Sequence, residues 1–425
     1  MRQDVQGAGT ADLDTRIAAM LRSDLDLVSN PFPLYRDLLR TSPVHVHGPT
    51  VVVSRYTDTK IILHDAVTFS NQAYKVGSRA NEIRSKLRGR ELVAFDEVAA
   101  FESMYISRAD GEQHARLRSI AKRAFTPRKM AQLQTQVQRY TDQLIDDMLR
   151  SGQNDIVEGL TSRLPTMMIC SLLDVPLTDI DLIRNWVAKI GKNRGGTVIA
   201  DLLDAHTALM EFRAYVEDVV REHRRHPART DLVSALQGAT SEARLSTDEL
   251  LATMVVLLFG GSDTTTALLG NGLHGLLTYR DQWELLRSDP DRYLSDTVEE
   301  LLRWVSPVQT LWRVTTAPTR IGELDVSAGT TVLLLVGAAN RDPAQFTQPD
   351  VLDITRQPRE HIAFGYGPHY CIGTALARME ASTLFRTLVQ RFPDLAIRDP
   401  DRPAVFRGNI QFRSISALEV DWGTR

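Results

Sequence analysis

The run His361-Ile362-Ala363-Phe364-Gly365-Tyr366-Gly367-Pro368-His369-Tyr370-Cys371-Ile372-Gly373 is the most informative of the chain. Its three glycines and one proline prescribe a tight, irregular loop around a single cysteine. From Thr374 to Val389 apolar residues then recur at helical spacing. Cys371 therefore stands at a helix N-terminus, where free N–H groups and the positive end of the dipole favour thiolate over thiol. Three chemistries use such a thiolate. A nucleophile would take His369, two residues away, as its base. Zinc would need more thiolates or a histidine cluster, and the ten histidines are scattered. An axial thiolate on a haem iron needs no further protein ligand, and this option fits best. Cys170, within Met167-Met168-Ile169-Cys170-Ser171-Leu172-Leu173, reads as an ordinary buried cysteine.

The chain around this loop has 425 residues, 43% hydrophobic and 24% charged, which excludes a disordered, collagenous or largely membrane-embedded protein. Fifty basic and fifty-three acidic side chains leave a net charge of −3, so no nucleic-acid or anionic-membrane partner is called for. Two distant cysteines exclude a secreted disulfide framework, and the expected location is the cytoplasm. Met1 to Thr15 is polar, with neither signal peptide nor anchor helix, and is expected to be flexible. The longest apolar stretch, Leu250 to Phe259, falls short of the roughly 20 residues that cross a bilayer.

No linker composition or internal repeat divides the chain, so 1–425 reads as one catalytic unit without a fused reductase. Val44-His45-Val46 and Val51-Val52-Val53 flank His47-Gly48-Pro49-Thr50 as a hairpin. Arg320 to Val326 and Thr330 to Val336, separated by Ala328-Gly329, read as a second paired set. Helices dominate from about 110 to 305. One example is Lys129 to Leu149, with Leu133, Val137, Tyr140, Leu144, Ile145 and Met148 on one stripe. The expected class is mainly α, an α+β protein with small sheets toward both ends.

Ser246-Thr247-Asp248-Glu249 is a capping box opening a helix that can run to about Leu277, about 45 Å at 1.5 Å per residue. In its middle come Gly260, Gly261, Ser262, Asp263, Thr264, Thr265 and Thr266, where each glycine costs roughly 1 kcal/mol against alanine. Two readings offset that cost. Either the helix kinks under a close neighbour, or the glycines form a cavity wall beside an acid and an alcohol that pass protons.

Together these segments resemble the cytochrome P450 family. Phe364-Gly365-x-Gly367-x-His369-x-Cys371-x-Gly373 is similar to its haem-binding signature, and Gly260-Gly261-x-Asp263-Thr264 to the oxygen-activation segment of its long central helix. Glu300-Leu301-Leu302-Arg303 matches its E-x-x-R pair, whose residues share a helix face. Pro349 to Arg356 resembles its meander, with Leu352 and Ile354 where phenylalanine and proline are common, and implies that Arg356 joins the pair. His114 and Arg118 resemble its propionate contacts, and Arg313 and His369 stand where its other two fall.

The resemblance implies the P450 fold, with haem b between the central helix and the helix after Cys371, the metal ligand. It implies that Gly260, Gly261, Phe364, Gly365, Gly367 and Gly373 shape the haem site, that Thr264 steadies dioxygen and that Asp263 relays protons. The implied partners are O2, a small-molecule substrate, and a ferredoxin with its reductase as separate proteins; no membrane is expected, and a monomer is. Lys122, Arg123, Arg128 and Lys129 offer a face to an acidic ferredoxin. The implied pocket draws on the loop between Phe69 and Ile106, the region near Ile183 to Leu203, the helix wall around Leu257 and Gly261, the segment Val308 to Leu311, and a C-terminal turn near Ile410 to Phe412. The first of these carries Lys75, Arg79, Arg84, Lys86, Arg88 and Arg90, which suit an anionic or carrier-bound substrate or simply a solvated face. Hydroxylation or epoxidation is the leading outcome. A non-hydroxylating outcome (phenol coupling, ring formation, nitration, peroxygenase) and a non-catalytic haem-binding sensor or carrier stay open.

Overall fold

The alternation around His47-Gly48-Pro49-Thr50 folds as the expected hairpin in the computed structural model, which describes residues 2–123, 125–173, 175–192, 199–225 and 245–423. Strands β1 (Val44–His47) and β2 (Thr50–Val53) pair antiparallel, Val44 opposite Val53, with Gly48 at φ 52° in the turn. Strands β3 (Phe69–Ser70) and β4 (Thr310–Thr315) belong to the same sheet.

The second expected pairing is different. Strands β5 (Thr319–Ile321) and β6 (Leu324–Val326) form their own small hairpin. Strand β7 (Thr331–Leu335) instead runs parallel to β2 and antiparallel to β4, so the sheet order is β1-β2-β7-β4-β3. Burial explains the choice: all five β7 positions are buried, and an apolar strand is best covered with a partner on each edge. The N-terminal segment is helical over Arg2–Leu21. Leu13 and Ile17 are buried in one cluster with Leu34 and Leu38, and Asp14 Oδ1 lies 3.0 Å from His45 Nε2 and 2.8 Å from His47 Nδ1.

The helix Pro127–Ser151 buries the stripe read from its spacing, from Leu133 to Met148. Thr126 caps it, Pro127 occupies its first position, and Gly152 ends it at φ 71°. The central helix runs unbroken over Thr247–Thr278. Ser246 Oγ accepts from Glu249 N–H at 3.1 Å, Glu249 Oε2 accepts from Ser246 N–H at 2.9 Å, and Glu249 also pairs with Arg116 of the helix Gly111–Lys122. The run Leu250 to Phe259 thus belongs to a helix long and apolar enough to span a bilayer, but most of that helix is buried. It packs against the helices Arg163–Leu173, Pro290–Val305 and Thr374–Arg391.

One buried ion cluster ties these helices to the cysteine loop. Arg303 Nε and Nη2 donate to Glu300 at 2.8 and 2.7 Å, both residues being fully buried, and Arg356 Nε donates to Glu300 Oε1 at 3.1 Å. The other Arg303 N–H groups reach the carbonyls of Asn340, Pro349 and Val351 at 2.9, 2.8 and 3.2 Å. Asn340 in turn accepts from Ile362 N–H at 2.8 Å, at the entrance to the cysteine loop.

Candidate active site

Gly365 and Gly367 adopt φ of 73° and 72°, the left-handed region that glycine enters without strain. At Gly367 a side chain is also excluded, since a Cβ would lie 2.9 Å from His64 Cα and from Leu63 O. The loop closes on itself: Cys371 N–H donates to Phe364 O at 2.9 Å, and Gly365 N–H to Ile362 O at 2.9 Å. Cys371 lies two residues before Gly373, the N-cap of Thr374–Arg391, and its accessible surface faces a cavity of about 320 Å³. Burial pushes the thiol up, against the Gly373 N–H and the Arg118 and Arg378 guanidinium groups, which pull it down.

Beneath the loop Glu299 accepts from Arg378 Nε and Nη2 at 2.6 and 2.8 Å and lies 3.1 Å from His361 Nε2. Burial raises this carboxyl, but Arg378 and His361 outweigh it and hold it down at about 2. The Arg378 guanidinium sits 4.7 Å from the Phe364 ring centroid, which anchors that ring at the cavity wall.

Opposite, the central helix contributes Val256, Leu257, Gly260, Gly261, Thr264 and Thr265. Its two glycines divide the two readings between them. A Cβ on Gly260 would meet nothing within 4 Å, so this glycine opens the wall; one on Gly261 would stand 3.0 Å from Ile169 Cδ1, so this one serves close packing. Thr264 Oγ1 donates to Gly260 O at 2.6 Å, the local bond that a threonine within a helix commonly makes. Asp263 is half-buried and does not line the cavity.

A third wall is cationic. The His114 and His369 rings stack with centroids 3.9 Å apart, and Arg118 donates to Tyr370 O at 2.6 Å. Arg313, buried in β4, lies outside the lining but adds its charge. Burial first, then His114, Arg313 and Arg118, push the His369 imidazole down to about 3. Burial and Arg118 lower His114 as well, against a pull from Asp110. The buried His114 Nε2 and His369 Nδ1 have no hydrogen-bond partner among the described residues. Orphaned ring nitrogens beside the Arg118 and Arg313 guanidinium groups suit an anionic group that accepts from them. Sulfur on one wall, a glycine-faced helix opposite and this cluster between them fit a flat ring carrying carboxylates.

Of the expected pocket residues, Leu257, Val308, Leu311 and Phe412 line the cavity. Ile410 does not: it is buried in the cluster of Trp312, Leu333 and Tyr35. Within the region near Ile183 to Leu203, residues 193–198 lie outside the described residues, and Ile183 is a core residue. In the basic loop Arg84 pairs with Asp96 at 2.8 Å and Lys86 with Glu82 at 2.6 Å, which supports the solvated-face reading for these two. Sequence reasoning missed Ile169, Val256 and Glu380, all on the cavity wall, whereas Gln411 falls in the expected turn near Ile410 to Phe412. Glu380 is fully buried, its Oε2 lacks a partner among the described residues, and burial raises its carboxyl well above the usual range. The signal was present: an acid on the buried stripe of the helix after Cys371, with Leu376 and Leu384 four residues away on either side.

A family model described as Cytochrome P450 matches residues 199–412. The chain is 30% identical over 400 residues to the biotin biosynthesis cytochrome P450 of Bacillus subtilis (strain 168), covering 93% of this chain and 97% of that protein. It is 32% identical over 409 residues to 6-deoxyerythronolide B hydroxylase of Saccharopolyspora erythraea, covering 93% and 98%. Among solved structures, P450BioI in complex with hexadec-9Z-enoic acid ligated acyl carrier protein matches with a TM-score of 0.83 at 28% identity, covering 93% of this chain and 99% of that one.

Proposed function

The chain belongs to the cytochrome P450 family, and on that premise we propose that it is a haem b monooxygenase that hydroxylates or epoxidises a small or medium-sized organic molecule. It takes electrons from a separate ferredoxin and ferredoxin reductase and works in the cytoplasm. The names of its relatives, one in biotin biosynthesis and one a hydroxylase, support a biosynthetic role. The carrying observation is a single cavity that brings together Cys371, the Gly260 to Thr264 face and the His114, Arg118 and His369 cluster.

Haem, when bound, supplies a redox-active iron that activates dioxygen. Cys371 would hold its iron through the sulfur, and His114, Arg118, Arg313 and His369 would hold its propionates through charge-assisted hydrogen bonds. The Gly373 N–H and the other loop amides moderate the charge on the sulfur. Thr264 spends its only donor on Gly260 O, so its oxygen is oriented to accept a proton donor from the cavity. Asp263, off the cavity, exchanges protons with solvent and relays them along the helix. Lys122, Arg123 and Arg128 are exposed and offer an acidic ferredoxin a cationic face.

Replacement Cys371→Ser tests the reading. The red-shifted absorbance of the reduced carbon monoxide adduct is expected in the parent protein and lost in the variant. An unchanged band in the variant would refute Cys371 as ligand.

A further inference from the structure

Gln309 and Gln411 face each other where β4 begins, and their side chains differ sharply. Gln309 N–H donates to the backbone carbonyl of Gln411 at 2.8 Å. The side chain of Gln309 is fully engaged: Nε2 donates to Val305 O and Ser306 O at 2.9 and 2.7 Å, and Oε1 accepts from Tyr35 Oη–H at 3.1 Å. Gln411 Oε1, by contrast, is buried without a partner among the described residues, and the residue lines the active-site cavity.

Backbone bonds hold the turn that carries this side chain. Asn409 Oδ1 accepts from the N–H groups of Gln411 and Phe412 at 2.9 and 3.1 Å, and Val308 bridges to Phe412. Gly408, at φ 122°, brings the turn so close that a Cβ would overlap Phe412 O. Nearby walls are apolar: Leu257, Val308, Leu311 and Phe412 line the cavity, and the Phe412 ring packs edge-on to Phe259 at 5.6 Å. An unsatisfied acceptor on an apolar wall keeps its desolvation cost until a ligand supplies a donor.

We propose that Gln411 Oε1 is the acceptor that orients the substrate, and that the substrate is a largely apolar, uncharged molecule bearing a hydroxyl or N–H group. This rests on the monooxygenase reading and narrows its substrate class.

The test titrates the haem-loaded protein with cyclododecanol, cyclododecanone and cyclododecane, following the low-spin to high-spin change in absorbance. Parent protein is expected to bind the alcohol about tenfold more tightly than the ketone. In Gln411→Leu and Gln411→Met that ratio falls to about one, while cyclododecane binds at least as well as before. Equal binding of alcohol and ketone by the parent, a preference for the ketone, or an alcohol preference that survives in both variants overturns the proposal. The carbon monoxide spectrum of each sample separates the two claims. If the parent lacks the red-shifted band, the monooxygenase reading fails and takes this inference with it; if the band is normal and the ratios are flat, the inference alone fails.

Discussion

Arg303→Met takes from the Glu300 carboxylate its closer guanidinium partner, in a site where neither residue touches solvent. It removes both bonds from Arg303 to Glu300 and the donors to three carbonyls, leaving Glu300 with Arg356 Nε and the Asp353 N–H, each at 3.1 Å. Removing one partner of a buried ion pair costs roughly 3–5 kcal/mol. Unfolding entropy near 2.1 cal/mol/K per residue comes to about 0.9 kcal/mol/K for a chain this long, so Tm should fall by about 3–6 °C. Differential scanning calorimetry of parent and variant, prepared alike, measures it. Because Asn340 links this cluster to Ile362 N–H at the cysteine loop, the fraction of protein giving the red-shifted carbon monoxide band should drop as well. A Tm for Arg303→Met within about 1 °C of the parent would refute the reasoning, because Arg356 alone would then satisfy the buried carboxylate.

Thr264→Ala removes the 2.6 Å bond to Gly260 O and the oriented oxygen, so product formed per reductant consumed should fall and peroxide rise, while haem content stays normal; full coupling would argue against its role. Gly367→Ala meets backbone at 2.9 Å at a positive φ and should cost roughly 1–3 kcal/mol in thermal unfolding. Gly260→Ala meets nothing and should gain up to about 1 kcal/mol of helix propensity while narrowing the cavity; the reverse order of stabilities would contradict the roles given to the two glycines. The folded-state value of Glu299, about 2, lies below its ordinary 4.5, so its stabilising contribution is complete above pH 4.5 and is lost as pH falls from there through about 2. Glu299→Gln should flatten the dependence of stability on pH across that window, and an unchanged slope would count against the Arg378 and His361 clamp.

Features settled by near neighbours in the chain were legible in the sequence. Positive φ at Gly365 and Gly367, the Ser246 and Glu249 cap, the apolar stripe of Pro127–Ser151, and Glu300 facing Arg303 all follow from backbone sterics and helical spacing, which act over a few residues. What needed the folded chain was every quantity set by packing between distant segments. Strand β7 chose β2 and β4 over its sequence neighbour, Ile410 turned into another core cluster, and His114 met His369 ring to ring. The same holds for ionisation: the Cys371 thiol, the Glu380 carboxyl and the His369 imidazole all sit where burial is the leading cause of their shift. Desolvation depends on how many atoms surround a group from all sides, and that number exists only once the helices and sheet have closed around it.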